Sequence, residues 1–376
     1  MTRHNASLGA ETVMLLVGGG HAHVAVLADW ATRGAPAGVR GVLLTPERHL
    51  RYSGMVPGWI AGQHAQDDGL VDLAALAARA GVALVLDHCT GLDPEARVVR
   101  TAAGEAIGFD VASFDTGGEG QAARLLGDDP RLIDIRPIGA FVDRLAALGS
   151  LRRIVVVGGG AGGVELAFAL RNRAGAPAAP DVTLVAGAGG VLPGFAAAVQ
   201  ARAARALARQ GIKLLAAEAR FAGGAIYAGE QSLEPADCII AATGSAAPGW
   251  VRASGIATDA AGFLAVDAHQ RSPSHPHIFA AGDVAARTDR PLAHSGVHAV
   301  FAGPVLAANL RAVLAGEAPR RTYRPRRNNL YLMNTGDGSA IASHGSLAAE
   351  GRWVLALKHW IDKRWIAQYV RLAQMA

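Results

Sequence analysis

The stretch VMLLVGGGHAHVAVL, Val13–Leu27, joins a β-branched apolar run to an amphipathic helical pattern through three successive glycines. A second stretch of the same design, IVVVGGGAGGVELAFAL, occupies Ile154–Leu170. Strand, tight glycine turn and helix in that order make the dinucleotide-binding fingerprint. The first glycine (Gly18, Gly158) permits the turn and the second (Gly20, Gly160) lets a pyrophosphate approach the backbone. The N–H groups and dipole of the helix start then hold its charge. One such turn predicts one nucleotide, so this chain predicts two, on an α/β fold with two Rossmann-like domains.

The copies are unequal. The mid-chain copy has all three glycines, Gly158, Gly160 and Gly163, with Glu165 soon after; the first copy has His23 at the third position, where glycine ordinarily lets helix and strand pack closely. Small Ala22 and Ala25 on the same helix leave room for a close approach. At the end of the strand after the first helix, Gly38–Thr45, an acidic residue usually accepts the ribose hydroxyls; here Thr45 is followed by Pro46 and Glu47, so Thr45 and Glu47 are the candidates.

The 376 residues, 51% hydrophobic with 47 glycines, suffice for two or three ordinary cores. The longest apolar stretches contain the glycine turns, and none reads as a membrane span. The opening residues Met1–Glu11 form a polar tail rather than a secretory leader, so a cytoplasmic location is expected. A net charge of +5 is spread along the chain without a nucleic-acid recognition module, which argues against nucleic acid and for an anionic membrane surface or acidic partner. The two cysteines, Cys89 and Cys238, are far apart, so no redox-active pair is offered and each reads as a small buried hydrophobe. No metal site is expected.

Along the chain, helix is expected over Leu70–Ala80, strand over Ala83–Asp87, and a hairpin-like run through Val98–Arg100 and Asp110–Phe114. The turn-rich but apolar Arg51–Gly62, RYSGMVPGWIAG, is expected as a ligand-facing loop. Arg324–Gly345 reads as a hairpin. From Arg352 the sequence RWVLALKHWIDKRWIAQYVRLAQMA is helical in period, with tryptophans and basic residues that suit a membrane interface; packing on the parent domain or a homodimer partner is the other reading.

The two turns, Ala242-Thr243-Gly244 and Ala281-Gly282-Asp283 occur in the order of the pyridine nucleotide-disulphide oxidoreductases, which the chain resembles over nearly its whole length. Without the cysteine pair and with a C-terminal hairpin and helix, it is most similar to the type II NADH dehydrogenase and sulfide:quinone reductase branch. VGGGHAHV, YSGMVPG and LYLMNTGDGSAIASHG are similar to bacterial oxidoreductases linked to selenophosphate synthetase.

The resemblance implies an FAD domain in residues 1–117 and 262–322, split by an inserted NAD(P)H domain at 118–261, with a hairpin and amphipathic helix at 323–376. It implies that Gly18, Gly19, Gly20, His21 and His23 at the helix start hold FAD pyrophosphate, and that Asp283 after Gly282 bonds the ribityl or pyrophosphate. Cys89 falls where backbone lies against adenine. Gly158, Gly160, Gly163 and Glu165 would bind NADH or NADPH, with Thr243 and Gly244 closing that domain; capping its own helix is the other reading of Glu165. Thr116 and Gly117 belong to the FAD site, but Asp115 replaces the family's alanine, with an effect the sequence leaves open. Ala186 stands where an NADH enzyme carries an acid, so donor specificity is unreadable. Among the histidines, His294 lies where the family's helix runs beside the isoalloxazine and is the catalytic candidate, with His21, His23 and His298 as further proton relays. The expected activity is hydride transfer from NAD(P)H to flavin and on to a quinone or other small acceptor. A reduced sulfur or selenium donor, and a non-catalytic flavin-binding adaptor, are the alternatives.

Overall fold

Two five-stranded parallel sheets carry the molecule, and in each the central strand runs straight into a glycine turn. A computed structural model describes residues 11–375; residues 1–10 of the expected polar tail, and Ala376, lie outside them. The first sheet has the order Ile278–Ala280, Val111–Phe114, Thr12–Val17, Val39–Thr45, Val82–Leu86. The second has the order Leu132–Asp134, Cys238–Ala241, Arg153–Val157, Asp181–Val185, Lys213–Leu215. Val111–Phe114 and Cys238–Ala241 are buried at every residue, as strands covered on both faces must be.

The registers of the two sheets match. Val17 lies opposite Leu44 on one side and Phe114 on the other; Val157 lies opposite Val185 and Ala241. Asp115 and Ala242, each one residue past its strand, therefore occupy equivalent places. The connections between the sheets run side by side: Glu119 and Ala246 exchange both backbone hydrogen bonds at 2.9 Å.

Several expected elements resolve differently. Leu70–Ala80 divides into a short strand, Leu70–Asp72, and a helix, Leu73–Arg79, because Asp72 accepts the Ala75 N–H at 2.9 Å and starts the helix there. The hairpin expected to include Asp110–Phe114 is instead a three-stranded antiparallel sheet, Cys89–Asp93, Val98–Thr101 and Ala106–Gly108, while Val111–Phe114 joins the main sheet. The apolar Arg51–Gly62 holds a turn of 3₁₀ helix and a short helix, Val56–Ile60. Val56 and Ile60 are buried in the core of the second sheet, which accounts for their apolar character. The hairpin gains a third strand: Leu330–Asn334, Ala340–His344 and Leu347–Gly351.

The helix Gly296–Leu314 follows His294 as the resemblance implies, and by length and composition it is long and apolar enough to cross a membrane, a stretch the expectation of no membrane span had passed over. In the fold it packs along His21–Arg33. A Cβ on its Gly303 would sit 2.8 Å from the Cβ of Ala25, so glycine sets how closely these helices approach. The last helix, Arg352–Gln374, is continuous. One face, with Val354, Leu355, Lys358, Asp362, Ile366 and Tyr369, is buried against the body, while Trp353 and Trp360 on another face are each 61% exposed.

Candidate active site

The first glycine turn is closed by side chains. Gly18 has φ +94° and its Cβ position would fall 2.5 Å from the Asp115 carbonyl oxygen, so both conformation and space require glycine. His23 is fully buried, with Nδ1 2.6 Å from the Gly18 carbonyl oxygen and Nε2 2.9 Å from Ser113 Oγ. A carbonyl can only accept, so Nδ1 carries the hydrogen and Nε2 accepts from the serine. Burial holds the ring neutral, lowering its pKa to about 4. The imidazole thus ties helix to strand by hydrogen bonds, where the second copy uses close contact: a Cβ on Gly163 would lie only 2.0 Å from the Gly158 carbonyl oxygen.

Asp115 is 4% exposed and its Oδ2 accepts the N–H of Ala22 at 2.7 Å and of His23 at 3.0 Å. The helix N-terminus therefore already carries a carboxylate. The amides of Gly20 and His21 have no acceptor among the described residues. Asp283, in the turn Gly282–Val284, is paired with Arg136 at 2.7 Å. His21 is enclosed by Tyr52 and Trp365, with ring centroids 5.6 and 5.3 Å away, and its buried Nε2 has no hydrogen-bond partner among the described residues. Burial lowers its pKa to about 4. Unpaired amides, the left-handed glycine and the unpartnered imidazole nitrogen fit a nucleotide diphosphate and the polar atoms attached to it.

The second turn is open. Cβ atoms on Gly160 and Gly162 would meet nothing within 4 Å, and the amides of Ala161, Gly162 and Gly163 have no acceptor among the described residues. Thr243 and Gly244 follow the adjacent strand; Gly244 has φ +86°, and Gln121 Nε2 donates to the Thr243 carbonyl at 2.8 Å. Ala186 is buried, and the nearby acid comes from another strand end: Glu218 accepts the Ala188 N–H at 3.0 Å from an exposed position.

Glu165 points away from the turn. It accepts the Asn334 N–H at 2.8 Å and lies 4.0 Å from Lys358 Nζ, so it does not cap its own helix, whose N-cap is Gly160. Lys358 also meets Asp362 at 3.2 Å and donates to the Gly54 carbonyl at 2.9 Å, while the Tyr52 hydroxyl donates to Asp362 at 3.2 Å. Burial raises the pKa of Glu165. Burial alone pulls Lys358 down, but Glu165 and Asp362 more than offset it and keep the ammonium charged. Tyr52 stacks on Trp365 with centroids 4.7 Å apart.

The remaining candidates lie outside these contacts. Thr45 is buried beneath the first turn, with Oγ1 3.0 Å from a Cβ placed on Gly19; Glu47 beside it is exposed. The Thr116 hydroxyl donates to the Gly117 carbonyl at 3.3 Å, and Gly117 has φ +72°. Cys89 opens the antiparallel sheet and Cys238 lies in the second parallel sheet. Both are free, and burial pushes their thiols up to about 12 and about 11. His294 packs against Phe263 with centroids 4.0 Å apart and the rings tilted by 48°, beside the surface cavity lined by Arg287 and Asp289; His298 instead bonds the Tyr323 hydroxyl at 2.8 Å. Tyr52 lies in the stretch expected to face a ligand, Lys358 and Trp365 lie on the helix assigned to a membrane or protein contact, and Arg136 and Asp362 had no expected role. The signal for the helix pair was an i, i+4 Lys and Asp inside an apolar stripe.

Solved structures show the same fold. The sulfide:quinone oxidoreductase of Aquifex aeolicus superposes with a TM-score of 0.75 at 16% identity, over 96% of this chain and 92% of that one. The NADH-bound, water-forming NADH oxidase of Lactobacillus brevis gives 0.74 at 20%, over 89% and 75%. An NAD-dependent persulfide reductase from A. fulgidus gives 0.73 at 17%, over 89% and 64%. No curated protein sequence matches the chain. A family sequence profile matches residues 13–303, which include both glycine turns and the Asp283 segment. By that match the chain belongs to the pyridine nucleotide-disulphide oxidoreductase family, whose cofactors are FAD and a nicotinamide nucleotide.

Proposed function

We propose that the protein is an NADH-dependent flavin oxidoreductase of the type II NADH dehydrogenase kind, passing electrons to a quinone or similar small acceptor without a redox-active disulphide. The observation that carries this reading is the buried chain Glu165, Lys358, Asp362 and Tyr52. It leads from the helix after the second turn to the aromatic wall beside His21 at the first. FAD, when bound, supplies two-electron chemistry by accepting hydride from the nicotinamide. The protein supplies the rest: Tyr52 and Trp365 exclude water, and Lys358 balances the charge of Glu165 and Asp362 and holds them in place between the two turns.

Two further observations narrow the reading. The raised thiol pKa values leave neither cysteine a nucleophile at neutral pH, which opposes attack on a sulfur donor. Glu218, beside the strand-end loop that reads the ribose, would repel a 2′-phosphate and so supports NADH over NADPH. The exposed Trp353 and Trp360, with Lys363 and Arg364 on the same helix, support contact with an anionic membrane surface; substituting both tryptophans by serine should abolish co-sedimentation with anionic vesicles.

Anaerobic titration of the purified protein with NADH tests the central claim. Bleaching of a bound flavin absorbance by NADH, and much more weakly by NADPH, is the expected result. A bound flavin that stays oxidised with both would overturn it.

A further inference from the structure

Three motifs far apart in sequence meet at one carboxyl group. Asp115 Oδ2 takes two N–H groups of the first helix, and a Cβ on Gly20 would lie 2.4 Å from that same oxygen. A Cβ on Gly282 would lie 2.4 Å from Oδ1. The glycines at these positions thus make room for a protein carboxylate as well as for a ligand. Among the described residues no cation is paired with it. On the helix whose amides it accepts, the His23 ring turns to Gly18 and Ser113 and the His21 ring to Tyr52 and Trp365, and burial holds both neutral. From the turn after Ile278–Ala280 it is faced by Asp283, whose partner is Arg136, and the nearest polar side chain on its own strand, Ser113, is bonded to His23.

A diphosphate brings further negative charge to this helix start, and like charges in a site of low dielectric cannot all stay ionised at small cost. Resting on the FAD assignment above, we propose that Asp115 sets flavin affinity by coupling it to proton uptake: where the carboxyl is ionised in the flavin-free protein, binding FAD draws a proton from solvent onto it, and the ionised carboxylate opposes the diphosphate. Burial already lifts this group to about 7 before any ligand is considered, so the coupling operates around neutral pH. In the second turn the equivalent residue is Ala242, and the coupling has no counterpart there.

Flavin-loaded protein brought to dialysis equilibrium between pH 6 and pH 9, with free FAD read by fluorescence, tests this. The dissociation constant should rise by up to about tenfold per pH unit above pH 7. Asp115→Asn should flatten that slope and hold FAD at least about tenfold more tightly than the parent at pH 9; Asp115→Ser provides a smaller replacement if the asparagine variant does not fold. A flat profile in the parent, or an unchanged slope in a folded variant, would overturn the proposal while leaving FAD binding intact. Failure to retain FAD even at pH 6, where Asp115 is neutral, would overturn the flavin assignment and the coupling together.

Discussion

The two glycine turns share a backbone and differ in what fills them. In each, the first glycine's N–H bonds the neighbouring strand, Gly18 to Leu44 at 2.7 Å and Gly158 to Val185 at 2.8 Å, and the second glycine is an extended N-cap. The first turn is packed with protein: an imidazole under the helix and a carboxylate at its start. The second is bare, with glycine against carbonyl and open space at the helix start. Two copies of one scaffold have become a deeply furnished site suited to a retained cofactor and an open one suited to a nucleotide that comes and goes.

Exchanging the furniture breaks this contrast. Gly163→His has the largest expected effect: with only 2.0 Å between its Cβ position and the Gly158 carbonyl, the second domain should lose more than about 4 kcal/mol or fail to fold, read by denaturant unfolding. His23→Ala opens a void and leaves the Gly18 carbonyl and Ser113 without their partner. A loss of about 2–3 kcal/mol is expected, against about 1 for Ser113→Ala.

The pH dependence of stability sharpens it further. His21 and His23 are neutral when folded and take up protons on unfolding, so they remove stability as pH falls from about 6.5 to about 4. Asp115 binds its proton more tightly when folded, so its contribution runs the other way between about 7 and 4. In the flavin-free protein the two partly cancel; Asp115→Asn should therefore show the steeper acid loss in thermal unfolding scans. The smallest effect belongs to Glu218→Gln, which should raise the KM for NADH a few-fold and improve NADPH relative to it, measured by steady-state kinetics.

Much of this was legible in the sequence because glycine turns are local. Strand, turn and helix follow one another within about twenty residues, and Gly18 and Gly158 advertise a backbone few other residues adopt. The site's side chains were less legible because their partners are distant. Asp115 could be seen to depart from alanine, but its meaning depends on amides 93 residues earlier. Tyr52 sits in a stretch whose apolar neighbours answer to a core rather than a ligand. Lys358 finds Glu165 across nearly two hundred residues, and no period in the helix announces that partner.

The paired connections at Glu119 and Ala246 have a mechanical consequence. Two connections joined at a single backbone bridge give little resistance to bending, so by themselves they would let one nucleotide domain swing like a door on a hinge. The helix bearing Lys358 latches that door, since swinging would pull a buried ammonium away from Glu165 and leave both charges without their partner. The same helix thus ties the second glycine turn's helix to the body that carries the first, so the spacing of the two turns is held by a buried ion pair as well as by backbone.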